Sequence, residues 1–403
     1  MKVLLLSTYE NGGGAAVAAS RLLQALRQNG VDASMLCRTN IEYGPKRLRK
    51  QSWASIRERI EILLCNGFNM KTLWATDTAS YGQDVTTTQE FREADVIHLH
   101  WTNQGFLSLS ELEKIMDSGK RIVITMHDDW YFTAVCHVAG GCTGYEHDCS
   151  SCCLVKSSKA QAIMQRKQSL YNSRNFTLTS VSNWLAGRAA KSSLMKGRNI
   201  RVVPNMLPRE DYGQTDKAAC RESLGIPQEA KVISFCAAKI DDPVKDLPKL
   251  INAVERLLML HPEWKSDMQV RLIGEAKDHT TVRTLPHTFI YIGRVGAAKL
   301  EEEFGAADVI ACTSVSETFG QTLIEAQASG ALPVSFANGG QTDIIYHKQN
   351  GYLTDERSAE AFAKGLEWAF TEGSKHSRTA LHDEAVRRFS PQAVAKMYIE
   401  LYD

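Results

Sequence analysis

Short apolar runs alternate with amphipathic segments along the whole chain of 403 residues. Continuous apolar runs are typical of strands buried on both faces of a parallel sheet, and amphipathic segments between them are typical of crossover helices. The predicted strands are 2–7, 31–37, 95–100, 121–126, 176–181 and 200–203 in the first half, and 231–236, 269–273, 289–292, 308–312 and 332–336 in the second. Each half holds enough strands for its own doubly wound sheet, so the pattern predicts an α/β protein with two Rossmann-like sheets.

A segment rich in proline and polar residues, 204–216, separates the two halves and predicts a linker. We therefore expect one domain at 1–206 and a second at 207–388, sizes that are common for single domains. The last segment, 391–402, predicts an amphipathic helix with Ser390 as N-cap and Pro391 at the first helical position.

Composition narrows the class of protein. The net charge of +1 argues against a general nucleic-acid binder. The first 207 residues carry 25 Lys and Arg against 17 Asp and Glu, whereas the remainder carries 22 against 29, which fits a basic module facing an anionic partner. The opening run is too short for a signal peptide, and no stretch approaches the ~20 apolar residues of a membrane span. We expect a cytoplasmic protein whose ten cysteines are thiols or metal ligands.

Three consecutive glycines, Gly12 to Gly14, follow the first strand and lead into a helix. Glycines at such a turn let backbone N–H groups approach a ligand, and the helix N-terminus favours an anion, so Gly13 and Gly14 are candidate phosphate contacts. A nicotinamide dinucleotide site is disfavoured because Val17 replaces a third glycine and Arg38 stands where an acidic residue would hold the ribose. A structural tight turn is the other interpretation.

Two glutamates, Glu317 and Glu325, lie eight positions apart across a predicted loop-to-helix junction. The helix is expected to begin near Gly320 or Gln321, so the N–H groups of residues 320–322 would face a diphosphate. Each carboxylate accepts two parallel hydrogen bonds and suits a pair of neighbouring ring hydroxyls. A nucleotide sugar has two such rings flanking a diphosphate, although a solvated helix face is the plainer alternative.

The stretch SETFGQTLIEAQASGALPV resembles the Glu-x7-Glu motif of family 4 glycosyltransferases, which are retaining enzymes of the GT-B fold. Within that family the sequence is most similar to the bacterial exopolysaccharide branch, such as colanic acid glycosyltransferases. The resemblance extends over nearly all of the chain, in the segments NGGGAAVAASRLLQAL, DVIHLHW, TMHDDWYFT, VSNWLAGRAAKSS, VVPN and NGYLT. It implies two Rossmann-like sheets facing across an interdomain cleft, with the first domain and the final helix on the acceptor side and the second domain binding the donor.

The resemblance also implies roles for single residues. Glu325 would bind the ribose, Glu317 the transferred sugar, and Lys245 the diphosphate, whereas Lys239 stands where the family usually has an Arg. The implied donor contacts are Gly13, Gly14, Lys239, Lys245, Gly274, Gly293, Val295, Glu317, Gly320, Gln321, Thr322 and Glu325. The implied catalytic residues are His127, Glu317 and Lys245, and the acceptor-side residues are His100, Asp128 and Asn205. Any of these is alternatively an ordinary surface or turn residue.

Five cysteines lie within the stretch CHVAGGCTGYEHDCSSCC. Cys136, Cys142, Cys149 and Cys152 in loops poor in large apolar residues suit a tetrahedral structural zinc, which would supply folding energy that a core cannot. Disulfides or free thiols are the alternatives. His137 is also nearby in the sequence.

Residues 46–64 predict a basic amphipathic helix with Trp53, Ile56, Ile60, Leu63 and Leu64 on one face. The pattern favours a helix packed on the sheet with solvated charges. A helix lying on anionic lipid is the alternative.

The function implied by the resemblance is transfer of a hexose, with retention, from a nucleoside diphosphate sugar to a glycan or lipid-linked glycan acceptor in bacterial surface polysaccharide synthesis. No catalytic cofactor is expected, and the sequence lacks an Asp-x-Asp motif that would bind a catalytic divalent metal. No nucleic-acid partner is expected either. A nucleotide-sugar epimerase of the same fold and a non-catalytic sugar-nucleotide-binding scaffold are the alternatives. We expect a cytoplasmic location, with a peripheral position on the inner face of the cell membrane also open.

Overall fold

The computed structural model describes residues 1–38 and 45–403. In this part of the chain, two compact units are present: residues 1–204 together with 394–403 form unit 1, and residues 205–393 form unit 2. Each unit contains one six-stranded parallel sheet with helices around it. The assignment of acceptor and donor roles to the two units stays a prediction.

Unit 1 is built on the strand order β2-β1-β3-β4-β5-β6. Its strands are β1 (Lys2–Ser7), β2 (Asp32–Cys37), β3 (Val96–Leu99), β4 (Arg121–Met126), β5 (Thr177–Ser180) and β6 (Ile200–Val202). Its helices are α1 (Gly14–Gln28), α2 (Pro45–Cys65), α3 (Gln89–Glu93), α4 (Leu109–Met116), α5 (Ser157–Asn172) and α6 (Asn183–Lys191). Because β1 lies between β2 and β3, the direction of winding reverses at β1, and ligands of such sheets bind at the carboxyl ends of the strands there.

Unit 2 repeats this plan with the strand order β12-β11-β10-β7-β8-β9. Its strands are β7 (Lys231–Lys239), β8 (Met268–Glu275), β9 (Phe289–Gly293), β10 (Val309–Cys312), β11 (Leu332–Phe336) and β12 (Tyr352–Thr354). Its helices are α7 (Lys217–Leu224), α8 (Leu247–Leu260), α9 (His279–Arg283), α10 (Ala297–Ala306), α11 (Gln321–Ala328), α12 (Ala359–Phe370), α13 (Arg378–Phe389) and α14 (Pro391–Tyr402), the last of which continues into unit 1. Winding reverses between β7 and β10.

Local sequence explains where several helices begin. The Ser108 hydroxyl accepts hydrogen bonds from the first N–H groups of α4 while Glu111 reaches back, a reciprocal cap that satisfies groups left open at a helix start. The Asp216 carboxylate accepts from the Ala219 N–H at the start of α7, and Gly225 ends this helix in the left-handed conformation. Leu250, Val254 and other apolar residues of α8 are buried against the sheet of unit 2.

The structure corrects two predictions. Strand β12 was not predicted, because it has three residues, of which two are only partly buried, and no long apolar run. The interpretation that the apolar face of α2 packs on the sheet is wrong, since Trp53, Ile56, Ile60 and Leu64 are exposed. Among the described residues, no helix has the length and apolar character needed to span a bilayer.

Candidate functional site

The carboxyl ends of β7 and β10 bring the predicted donor residues of unit 2 together. The segment after β7 carries Lys245, and the segment after β10 carries Glu317. Lys245 Nζ donates to Glu317 Oε2 at 2.8 Å, and both side chains are mostly buried. The two segments are also joined through their backbones, because Val315 N–H donates to the Val244 carbonyl at 2.8 Å. The reversal of the sheet and this backbone hydrogen bond bring the Lys245 ammonium and the Glu317 carboxylate together at the carboxyl ends of β7 and β10.

The contact between Lys245 and Glu317 determines the protonation state of Lys245. Burial alone lowers the pKa of Lys245, but the Glu317 carboxylate beside it outweighs burial and raises that pKa above its usual value. Lys245 is therefore an ammonium at neutral pH. An ammonium held among buried groups suits a diphosphate better than it suits a neutral ligand.

Helix α11 starts immediately after this carboxylate. Gly320 precedes the helix in a left-handed conformation with φ of 109°, and its Cβ-free backbone lets the chain turn there. Within the described residues, no side chain caps α11, so the first N–H groups, at Gln321 and Thr322, remain available to an anion. Glu317 thus lies before the start of α11 and Glu325 lies one turn inside it, as predicted from the spacing.

Glu325 is buried, with 4% of its surface exposed. Its Oε1 accepts from Gln321 Nε2 at 3.3 Å, and the same Nε2 donates to the Met206 carbonyl at 2.9 Å. Burial, with a smaller contribution from the Glu325 charge, raises the pKa of the Cys236 thiol in β7 to about 12. Gln321 Oε1 is buried and has no hydrogen-bond partner in the described part of the chain.

Glycines allow close backbone approach around the same strand ends. Gly274, at the end of β8, has φ of 137°, and a Cβ there would lie 1.8 Å from the Ala237 carbonyl oxygen. Gly293 ends β9 with φ of 79°, and Val295 is half-buried just beyond it. Lys239 is exposed at the end of β7. In the sheet of unit 2, β8 is the neighbour of β7, and β9 lies one strand farther from β10.

One residue of this region was not predicted. Arg357 donates to Asp246 Oδ2 at 2.5 Å and to the Thr313 carbonyl at 3.2 Å, so it ties the segment after β7 to the segment after β10. It lies 111 positions from Asp246, and no local motif marks it.

Unit 1 gathers histidines at the carboxyl ends of β3 and β4. His100 Nδ1 and His127 Nε2 lie 2.9 Å apart, and His98 is hydrogen-bonded to Tyr402 and Thr125, each at 2.7 Å. Burial lowers the pKa of His98 to about 3 and that of His127 to about 4, and it also lowers the pKa of His100. All three rings are therefore neutral at pH 7. Nε2 of His100 is buried without a partner among the described residues.

The Asp128 carboxylate is hydrogen-bonded to three groups of unit 1. Its carboxylate accepts from Trp101 Nε1 at 2.7 Å, from His137 Nδ1 at 2.8 Å and from the Trp130 N–H at 2.9 Å. Burial raises its pKa, but the His137 charge and these hydrogen bonds outweigh burial and lower it. His137 therefore contacts Asp128 through Nδ1. Asn205, the other predicted acceptor-side residue, is half-buried at the start of unit 2.

The glycine loop follows β1, next to the segment after β3. Gly13 has φ of 99° and precedes α1 without a side-chain cap in the described residues, while Gly12 to Gly14 are exposed. Thr8 N–H donates to the Trp101 carbonyl at 2.7 Å, which places the start of the segment after β1 beside the segment after β3. Gly13 and Gly14 therefore lie at the strand end where this fold binds ligands.

The predicted zinc residues line one cavity of about 100 Å³, together with Cys153. The cavity-lining thiols are those of Cys136, Cys142, Cys149 and Cys152, and all of them are free of disulfides. The Gly144 N–H donates to Cys142 Sγ at 3.4 Å. No group of three or more His, Cys, Asp or Glu side chains within 1–38 and 45–403 forms a ready set of metal ligands. The zinc site stays a prediction.

Comparison with known sequences finds similarity to glycosyltransferases, mainly in unit 2. Residues 216–386 match the family model described as glycosyl transferases group 1. D-inositol 3-phosphate glycosyltransferase of Stackebrandtia nassauensis is 30% identical over 192 residues, which cover 45% of this chain and 43% of that protein. The lipopolysaccharide core biosynthesis glycosyltransferase LpsE of Rhizobium meliloti is 26% identical over 210 residues, covering 51% of this chain and 58% of LpsE. The chain thus matches about half the length of these curated relatives.

Comparison with solved structures establishes the fold. Anabaena Alr3699/HepE in complex with UDP and glucose aligns with a TM-score of 0.61 at 14% identity, covering 100% of this chain and 99% of HepE. Sucrose-phosphate synthase from Thermosynechococcus elongatus aligns with a TM-score of 0.66 at 15% identity, covering 100% and 98%. The predicted α/β class, with two doubly wound parallel sheets of the GT-B fold, is confirmed. That the two sheets face across a cleft stays a prediction.

Proposed function

We propose that this protein is a retaining glycosyltransferase that moves a hexose from a nucleoside diphosphate sugar to a glycan or lipid-linked glycan acceptor. We place it in bacterial surface polysaccharide synthesis, on the cytoplasmic side. The group 1 match over 216–386 supports transferase activity in general. The observation that carries the proposal is the start of α11, where Glu317 paired with Lys245 and the buried Glu325 flank an uncapped helix N-terminus.

The donor contacts follow from the charges. The diphosphate would lie on the N–H groups of Gly320, Gln321 and Thr322, where the helix dipole adds partial positive charge. Lys245 would turn from Glu317 to the phosphates, with exposed Lys239 as a second cation. Freed from Lys245, Glu317 would accept from hydroxyls of the transferred sugar.

The nucleoside end has its own acceptors. Glu325 and the unpartnered Gln321 Oε1 would accept hydrogen bonds from the two ribose hydroxyls. Gly274, Gly293 and Val295 would border the base, where backbone without a Cβ permits close approach. UDP is the first candidate, because the Anabaena neighbour was solved with UDP and with UDP-glucose.

Transfer with retention requires the acceptor to enter on the face that the diphosphate leaves. The bond between the sugar C1 and the phosphate oxygen breaks, and a bond from C1 to the acceptor oxygen forms on that same face. The acceptor proton passes to the departing phosphate oxygen, so no side-chain nucleophile is needed. Lys245 and the α11 amides stabilise the negative charge that develops on the diphosphate, which is commonly the largest contribution to catalysis.

Unit 1 supplies His100, His127 and Asp128 to the acceptor side in this proposal. His127 Nε2 is engaged with His100, so His127 would contact the sugar through its backbone carbonyl or through Nδ1. The buried Nε2 of His100 lacks a partner among the described residues, and an acceptor hydroxyl would satisfy it. Asp128 would act by positioning Trp101 and His137. Gly13 and Gly14 would present backbone N–H groups to the donor phosphates, and Asn205 would contact the acceptor.

We also propose that Cys136, Cys142, Cys149 and Cys152 bind a structural zinc. Their thiols line one cavity, and the N–H bond to Cys142 Sγ is the kind that stabilises a thiolate ligand. The reaction above involves no step at this metal.

The donor site is tested with a thermal-shift panel of UDP-, GDP- and ADP-glucose, followed by calorimetric titration of the best ligand. We expect one nucleotide to raise the unfolding midpoint. Glu325→Ala should weaken its binding by about 2 kcal/mol, or roughly 30-fold, because two hydroxyls lose a buried acceptor. The matched control is Glu229→Ala, an exposed glutamate of the same unit. Unchanged donor affinity in Glu325→Ala would remove the ribose assignment.

The alternatives give distinct results with the same protein. An epimerase would convert the donor to its epimer with no acceptor present, whereas a scaffold would bind the nucleotide sugar and consume none. A transferase releases the nucleoside diphosphate faster when acceptor glycan is added. An NMR spectrum of the product, with the donor's anomeric configuration kept, tests retention.

A further inference from the structure

Helix α2 carries its apolar stripe toward solvent. Trp53, Ile56, Ile60 and Leu64 are 56%, 47%, 52% and 53% exposed. At 100° per residue these four positions fall within one narrow arc, and the stripe runs about 16 Å along the helix. An exposed apolar stripe of this size on a soluble domain marks an interaction surface.

The opposite face of α2 holds buried polar groups that contact other segments of unit 1. Arg59 donates to the Leu73 carbonyl at 2.6 Å and pairs with Asp77 at 3.0 Å, while Glu58 is fully buried beside them. The Glu61 carboxylate accepts from Ser80 Oγ at 3.0 Å. Rotating α2 to bury its apolar stripe would expose these pairs, so the stripe is fixed outward.

The turn after α2 extends the apolar surface. Phe68, Met70 and Trp74 are 69%, 65% and 60% exposed, and Phe68 N–H bonds back to the Leu63 carbonyl at 2.8 Å. The Arg59 guanidinium lies 5.1 Å from the centroid of the Trp74 ring. The surface therefore contains two tryptophans, which favour the boundary between hydrocarbon and water.

Charge decides which partner fits. The sequence of α2 from Pro45 to Arg57, PKRLRKQSWASIR, contains five Lys and Arg and no acidic residue. Arg57 is exposed next to the stripe, and Lys71 is exposed in the turn. The placement of the basic side chains at 46–50 lies outside the described residues. Cations beside tryptophan and aliphatic side chains match a bilayer surface with anionic head groups.

We propose that α2 and the turn after it (residues 53–74) form a membrane-binding surface that lies on an anionic lipid bilayer. The stripe enters the boundary between head groups and acyl chains, and the basic residues contact lipid phosphates. The proposal stands apart from the proposed transfer activity, because it rests on unit 1 surface residues that take no part in donor binding.

Vesicle co-sedimentation of the full chain tests this surface. We expect it to pellet with vesicles of phosphatidylcholine and phosphatidylglycerol, much less with phosphatidylcholine alone, and less again as salt rises. Ile56→Ser/Ile60→Ser should weaken binding at least about tenfold, because the bilayer contact loses two isoleucine side chains that the lipid would bury. The matched control is Met259→Ser/Leu260→Ser, which alters two exposed apolar residues of α8.

Three results would overturn the proposal. The wild-type chain stays in the supernatant with anionic vesicles, or the α2 variant binds as well as the α8 control. Sedimentation equilibrium without lipid shows a wild-type dimer that the α2 variant lacks, which would assign the stripe to a second copy of this chain. Circular dichroism checks that the variants fold, and Trp53→Ala probes the same stripe if the double variant does not.

Discussion

Lys245 Nζ lies 2.8 Å from Glu317 Oε2, although 72 positions separate the two residues in the sequence. The contact forms because the sheet of unit 2 reverses between β7 and β10, so the segments that follow these two strands lie side by side. A pair of opposite charges at a ligand-binding strand end is an arrangement that a bound anion can rearrange. Its members are accordingly the first to test.

Lys245→Met should lower kcat about 100-fold or more, because the departing diphosphate loses a cation that stabilises its developing charge. The variant keeps the length and apolar stem of the side chain, and initial rates with saturating donor and acceptor measure the effect. Lys265→Met, at an exposed position of the same unit, is the control and should keep the wild-type rate. A Lys245→Met enzyme with wild-type kcat would contradict the role proposed for this ammonium.

Zinc content is the second prediction. Protein purified in the presence of zinc should contain about one zinc per chain by elemental analysis, since four thiolates complete a tetrahedral structural site. Cys142→Ser and Cys149→Ser should each lower this content and the unfolding midpoint, because the loops that carry them have little apolar core of their own. Cys220→Ser, in α7 of unit 2, is the control. Wild-type protein without zinc, and with a midpoint that a chelator leaves unchanged, would end the zinc assignment.

Much of the fold was readable because its strands are apolar runs between amphipathic helices. The predicted runs 2–7, 121–126 and 332–336 coincide with β1, β4 and β11 to the residue. The start of α11 was readable too, since Gly320 and the helix-forming residues after it mark a boundary. These features depend on local propensity and periodicity, which sequence reports directly.

Other features depend on contacts that are distant in sequence. The role of Arg357 follows from the approach of residues 246 and 313, which only the closed sheet creates. The outward direction of the α2 stripe was mispredicted because an amphipathic pattern gives two faces without saying which one the protein buries. Here the buried face is held by Arg59 and Asp77, whose pairing spans 18 positions.

The histidine cluster of unit 1 supplies the last prediction. His98 Nδ1 bonds to the Tyr402 hydroxyl and Nε2 to Thr125 Oγ1, so both ring nitrogens are used in a fully buried setting. His98→Gln cannot reach both partners, and it should lower the free energy of unfolding at pH 8 by about 2 kcal/mol. Urea denaturation followed by circular dichroism measures this difference.

The pH dependence gives this prediction its sign. Burial lowers the pKa of His98 from 6.5 in the unfolded chain to about 3 in the folded protein. In the window between these values the unfolded chain binds the additional proton, so the stability that neutral His98 contributes is full above pH 6.5 and is lost as the pH falls toward 3. The stability gap between wild type and His98→Gln should therefore shrink by about 2 kcal/mol between pH 8 and pH 5.

His100 and His127 titrate in both proteins, so subtracting the two stability curves leaves mainly the contribution of His98. The His98 ring also lowers the pKa of His100, and its removal shifts the gap in the same direction. His287→Gln, at an exposed position, controls for the substitution itself. A gap between wild type and His98→Gln that stayed constant from pH 8 to pH 5 would mean that His98 is not held neutral, and the account of a buried, uncharged histidine cluster beside the candidate acceptor site would fail.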